Sequence, residues 1–190
     1  MTPQWIYSEG GPYLCTTQRA AAAWQGVFGL SLPVESGRYA HLDRSGMPPE
    51  MAATDYGYAC ARTSFAWRLP GPVNDVMIVG DTPDQLMWRP LGPDVGLIVK
   101  WFAADSEAQV MDHLRDLDDK DYTPLPFEIA FREPDLVMFD SAADLQCIGG
   151  NKLAFVLEPG VYSVHSRIYD PADDTIELHL LKLRRERDVE

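Results

Sequence analysis

Apolar residues recur in short alternating runs along most of this chain and fall into a helical period in only two places. Trp5-Ile6-Tyr7 reads as a strand that stops at Gly10-Gly11-Pro12, where two glycines permit positive φ and the proline fixes the exit. Tyr13-Leu14-Cys15 is then a return strand. Thr16 or Thr17 is placed to cap a first helix through Gln18-Arg19-Ala20-Ala21-Ala22-Ala23-Trp24, with Gly26 ending it. The second helix runs from Ser106 to about Leu117. Ser106 and Gln109 have capping-box spacing, and Val110, Met111, Leu114 and Leu117 form one apolar stripe.

Between the helices, residues 31–55 are rich in Pro, Gly and Ser without a sustained period, which predicts a long surface loop. Strands follow at 65–69, 76–79, 85–88 and 96–102, separated by turn signals, as an antiparallel meander. A second meander is predicted at 127–131, 136–139, 153–157, 161–169 and 175–183. Leu157-Glu158-Pro159-Gly160 serves as a hairpin turn, and the charged tail from Arg184 frays. The fold class expected is therefore α+β, mainly antiparallel β-meanders with two principal helices packed on the sheet. The length of 190 residues predicts a single domain over 1–190. Two similar β-rich halves, about 1–122 and 123–190, are the alternative, prompted by the likeness of 75–81 to 135–140.

Composition adds limits. A hydrophobic content of 46% with five Trp, eight Tyr and seven Phe supplies a core and argues against disorder despite the charge. Cys15, Cys60 and Cys147 are widely spaced and odd in number, which reads as free thiols in a reducing cytoplasm. The first five residues lack a signal-peptide pattern, and no apolar run reaches the roughly 18 residues of a membrane span. A cytoplasmic protein without a membrane partner is the expectation.

The net charge of −13 is unevenly spread. Residues 1–100 hold nine acidic and seven basic side chains, whereas 101–190 hold twenty and nine. Such a second half repels nucleic-acid phosphates and attracts a basic protein.

No nucleophile elbow, P-loop, dinucleotide fingerprint or H-E-x-x-H is present. A hydrolytic or small-ligand reading would need Cys147 and His165 or His179 to meet in a pocket between sheet layers. Asp140 with Asp144, or Asp173 with Asp174, would be the metal or acid–base pairs, though Asp at such places more often closes a turn. No catalytic residue, cofactor or metal site is assigned. Trp24, Trp67, Trp88 and Trp101 are core candidates, and any left outside would be interface anchors.

Several stretches, in order, resemble the immunity protein 21 family of bacterial polymorphic-toxin systems. They are Trp5-Ile6-Tyr7-Ser8-Glu9-Gly10-Gly11-Pro12, Trp24-Gln25-Gly26, Asp55-Tyr56-Gly57-Tyr58-Ala59-Cys60 and Val79-Gly80-Asp81-Thr82-Pro83, then the runs 99–107, Phe139-Asp140-Ser141-Ala142 and 157–164. The stretch from about Ser31 to Ala53 and the charged tail have no counterpart in that resemblance. It implies a non-catalytic protein that binds and blocks a cognate toxin domain. Its Gly, Pro and Trp positions have an architectural character. If the toxin is a basic nuclease, Asp112, Asp116, Asp118, Asp119 and Asp121 are the expected partner-binding residues, standing where phosphates would.

Overall fold

The computed structural model describes residues 3–8, 10–71, 74–80, 85–172 and 175–189. Two antiparallel sheets lie face to face. The chain enters with β1 (Ile6–Tyr7), β2 (Tyr13–Thr17) and α1 (Gln18–Ala21), followed by a 3-10 turn at Val34–Ser36, α2 (Pro49–Ala52) and α3 (Asp55–Ala59). Then come β3 (Ala66–Leu69), β4 (Val76–Val79), β5 (Gln85–Gly92), β6 (Val95–Ala103) and α4 (Glu107–Arg115). The last elements are β7 (Thr123–Phe131), β8 (Asp135–Asp140), β9 (Lys152–Val156), β10 (Gly160–Tyr169) and β11 (Glu177–Arg187). One sheet has the order β1-β5-β6-β11-β10-β7, the other β3-β4-β2-β8-β9. Each sheet thus takes strands from both sides of residue 122.

The alternation of side chains explains a four-layer arrangement. On β4, Met77 and Val79 face the space between the sheets, while Val76 and Ile78 face outward, and all four are buried. On β6, Ile98 points inward, whereas Leu97 and Val99 point out beneath α4. Strands buried on both faces read as continuous apolar runs, which is why Val76-Met77-Ile78-Val79 shows no polar alternation. The inner core includes Tyr13, Met77, Ile98, Phe131, Met138, Tyr162 and Leu183. Val110 and Leu114 of α4 close one outer face, each burial contributing about 1.5–3 kcal/mol. Residues 18–61 close the other with Trp24, Leu32, Tyr39, Leu42 and Tyr58.

Several expectations are corrected here. Residues 31–55 are not a free surface loop: they carry the 3-10 turn and α2 and bury Leu32, Tyr39 and Leu42 on the second sheet. The α+β class with antiparallel meanders holds; the described residues contain four short α-helices, of which α1 and α4 are the two expected, while Gly57 interrupts the sequence signal of α3. That glycine is required, since a Cβ there would sit 2.1 Å from the Met51 carbonyl oxygen. The first helix stops at Ala21; Thr17 is its cap, and Trp24 turns inward under the second sheet.

β2 does not return along β1 but crosses to the other sheet. Leu157–Gly160 likewise joins β9 of one sheet to β10 of the other, so it is a corner and not a hairpin turn. The tail is ordered to Arg187. Arg185 donates to the Pro159 carbonyl and to the Asp94 and Asp188 carboxylates, and Arg187 forks onto Glu128. β4 and β8 flank β2 on either side, and Leu14 faces Ile78 on one side and Phe139 on the other.

Candidate functional site

Four of the stretches that resemble the family, distant in sequence, converge at one end of the second sheet. Ser8 starts the assembly. Its Oγ accepts from the Gly10 and Gly11 amides at 3.1 and 2.9 Å, and its proton is shared between Asp140 Oδ2 at 2.8 Å and the Gly11 carbonyl at 2.6 Å. Asp140 Oδ1 accepts from the Ala142 amide at 2.9 Å. Asp140 is therefore fixed at both oxygens and is 6% exposed. Gly11 passes so close to Tyr56 that a Cβ would lie 2.8 Å from its ring.

The Trp24–Leu32 segment is held from both ends. Trp24 Nε1 donates to the Ser141 carbonyl at 2.8 Å, and Val27 N donates to the Ala142 carbonyl at 2.9 Å. Gly26 has φ +54°, and a Cβ there would be 2.2 Å from the Ala142 oxygen. Asp55, fully buried, accepts from the amides of Gln25, Ser31 and Leu32 at 2.9, 2.9 and 3.2 Å, and from the Ser31 hydroxyl at 2.7 Å. The glycine and tryptophan positions of these stretches are architectural, as the resemblance implies.

What this scaffold presents is a cavity of about 490 Å³. Tyr7, Phe28, Tyr56, Asp140, Cys147 and Asn151 line it, with Gly10 and Gly11 at its edge. Phe28 is 73% exposed and Tyr7 57%. Asn151 accepts from the Tyr7 amide at 3.0 Å and donates to its carbonyl at 2.7 Å, which fixes the Tyr7 backbone. Sequence reasoning missed these rim aromatics. The available signal was Val27-Phe28, an apolar pair enclosed by Gly26 and Gly29 with no periodic neighbours to bury it.

The tryptophans named as core candidates are packed. Trp24 and Trp67 are each 4% exposed, Trp88 stacks on Phe155 at 4.2 Å, and Trp101 meets Trp5 edge-on at 5.5 Å.

The hydrolytic constellation is not assembled. His165 and His179 lie on neighbouring strands but three register positions apart, roughly 10 Å, and on opposite faces. His165 bonds Ser163, whereas His179 bonds Glu177 and is stacked between Phe65 and Phe102. Cys147 lies against Asp144, whose carboxylate pushes the thiol above its ordinary range through a hydrogen bond and its charge. A thiol held protonated is a poor nucleophile. Asp144 itself is held low by the Cys147 amide first, then by Gln146, in the turn role expected of such residues. No group of three metal-ligating side chains is found among the described residues, and Asp173 and Asp174 lie outside them.

The five aspartates sit on α4 and just beyond it. Asp112 pairs with Arg115 at 2.8 Å, Asp118 with Arg167 at 2.9 Å and Lys120 at 3.7 Å, and Asp119 with Lys182. The hydrogen bond from Arg167 holds the Asp118 carboxyl below its usual range. Asp116 caps the helix C-terminus, and Asp121 has φ +60°.

A model of the immunity protein 21 family matches residues 4–175. The chain belongs to the immunity protein 21 family. A toxin-immunity role comes with that membership. The immunity protein 21 match encloses the 31–53 stretch and ends before β11, so the central strand of the larger sheet lies outside it. No curated protein and no solved structure matches the chain. No described helix is long and apolar enough to cross a membrane.

Proposed function

We propose that this protein neutralises a cognate toxin domain in the cytoplasm by stoichiometric binding, without catalysis, and that the toxin is a basic nuclease. The family match over residues 4–175 carries the reading. The charge supports the finer part of it. The second half concentrates acidic side chains, and a basic cleft is what such a field attracts. Asp112, Asp116, Asp118, Asp119 and Asp121 form the steering surface in this proposal. Pairing of Asp112, Asp118 and Asp119 with nearby cations leaves Asp116 and Asp121 as the acidic residues of this group without an ion pair among the described residues.

Co-expression decides it. Where a toxin gene adjoins this one, the C-terminal domain of that toxin is induced in cells with and without the protein, and survivors are counted. Rescue with a one-to-one complex on a sizing column is expected. Unchanged killing and no complex would overturn the reading.

A further inference from the structure

We propose that the cleft between the edge strands β3 and β7 receives an acidic side chain of the toxin. The inference rests on the immunity reading and deepens it by naming a group that the partner must present.

β3 and β7 are the terminal strands of their two sheets. Hydrogen bonds tie them into one wall. Arg68 donates to the Glu128 carbonyl at 3.5 Å. Just before β4, the Asp75 amide donates to the Ala130 carbonyl at 3.4 Å, and the Ala130 amide donates to the Asp75 carboxylate at 3.2 Å. Beside Phe65, Trp67, Leu125 and Phe127 the two edges enclose a cavity of about 550 Å³.

Charge selects the sign of the occupant. The protein carries 29 acidic and 16 basic side chains, yet Arg62, Arg68 and His41 line this cavity with no carboxylate of a described residue among them. Arg68 is partly spent on Asp75 at 3.8 Å. Arg62 is not. It has no hydrogen bond or ion pair among the described residues, and its guanidinium lies 5.4 Å from the centroid of the Trp67 ring. A guanidinium left open in this way offers a planar fork to a carboxylate.

An orphaned donor selects the same group. Trp67 is 4% exposed, and its indole Nε1 is buried without an acceptor. A buried donor left unpaired carries a free-energy cost that an incoming acceptor relieves. Trp67 and Arg62 lie against each other in the cavity wall, so one carboxylate answers both needs.

The remaining wall decides what bears the carboxylate. Phe65, Leu125 and Phe127 are apolar, and the short hydrocarbon arm of an Asp or Glu covers them, whereas a phosphate would leave them wet. Pro124 and Pro126 bring no N–H to β7, which blunts that edge against an added strand. The acidic second half of the chain draws a basic partner in, and this cationic cleft fixes its register once it arrives.

The test has two arms. In the first, the ¹⁵N-labelled protein is titrated with N-acetyl-L-glutamate α-amide, its uncharged glutamine counterpart and inorganic phosphate. Loss of one indole cross-peak in Trp67→Phe assigns the Trp67 signal. The glutamate compound is expected to shift that cross-peak and the amides of Arg62, Ser64 and Phe65 in the millimolar range. Its affinity should exceed that of the glutamine compound at least about ten-fold, and Arg62→Gln should remove the preference. Arg62 is exposed, so the rest of the spectrum reports an intact fold. A glutamine compound or phosphate that binds as well as glutamate, or a Trp67 indole that does not move, would overturn the assignment.

In the second arm, Arg62→Glu enters the rescue experiment. Loss of protection by the folded variant supports the cleft as a toxin contact. Full protection by the variant overturns the inference and leaves immunity standing. Failure of the wild-type chain to protect overturns the immunity reading and the toxin as source of the carboxylate, while the titration still decides the site.

Discussion

Replacing Asp55 by alanine removes one acceptor group from four donors at once. The amides of Gln25, Ser31 and Leu32 and the Ser31 hydroxyl all end on this carboxylate, and Asp55 is fully buried. Each buried donor left without a partner costs about 1–3 kcal/mol. Ser31 is only partly buried, so water relieves some of its loss. The expected destabilisation is then about 3–6 kcal/mol, a large part of a typical stability of about 5–15 kcal/mol.

Asp55→Asn separates hydrogen bonding from mere space filling. Its amide oxygen keeps the Ser31 and Leu32 amides, and the Ser31 hydroxyl reverses to accept. The Gln25 amide then faces an NH₂ group. The cost falls to about 2–3 kcal/mol, that of one buried donor set against another. Urea unfolding followed by tryptophan fluorescence measures both variants, because Trp24 and Trp67 lie in the cluster that this segment covers. The reasoning is refuted if alanine costs under about 1 kcal/mol, or if asparagine is no better than alanine.

Other expectations follow from the same geometry. Gly26→Ala combines a left-handed φ of +54° with a Cβ 2.2 Å from the Ala142 oxygen, and should lower stability by at least about 2 kcal/mol in the same urea assay. Because the Asp144 carboxylate raises the Cys147 thiol pKa, Asp144→Asn should lower it. Cys147 should then react faster with an aromatic disulfide reagent near pH 8, the difference closing at higher pH; equal rates at all pH values would count against the contact. We propose one folding unit, since both sheets mix strands from either side of residue 122. Calorimetry should show one transition with equal calorimetric and van't Hoff enthalpies, and two separate transitions would exclude it. Reversing Asp112 and Asp116 to lysine leaves the Asp118 and Asp119 pairs in place. It should slow toxin association several-fold at low salt and by little at high salt; an unchanged on-rate would remove the steering role.

Alternation made nearly every strand visible in the sequence, because a pleated strand with one or two buried faces writes its period directly into the residues. The 161–169 run is a case in point, whereas Val76–Val79, buried on both faces, is legible as a continuous apolar run. Which sheet each strand joins left no such trace. Gly10-Gly11-Pro12 permits a reversal as readily as a crossover, and only the packing of Tyr13 and Cys15 against the larger sheet distinguishes them. The same limit hid the 31–55 cover, whose buried residues, Leu32, Tyr39 and Leu42, are too sparse to set a period. At the candidate site, the framework was legible as motif stretches with glycines at fixed places. The cavity was not, because Tyr7, Phe28, Asp140 and Asn151 meet only through contacts between residues more than a hundred positions apart.

β11 occupies the middle of the larger sheet, between β6 and β10, yet it follows every other strand of that sheet in the chain. Until residues 177–187 leave the ribosome, β1, β5 and β6 have no neighbour through which to join β10 and β7, and α4 rests on an unfinished surface. Closure of this sheet therefore waits for residues 177–187 and then depends on long-range pairing, which is slow. A chain cut short before this segment lacks the one strand that pairs with both β6 and β10.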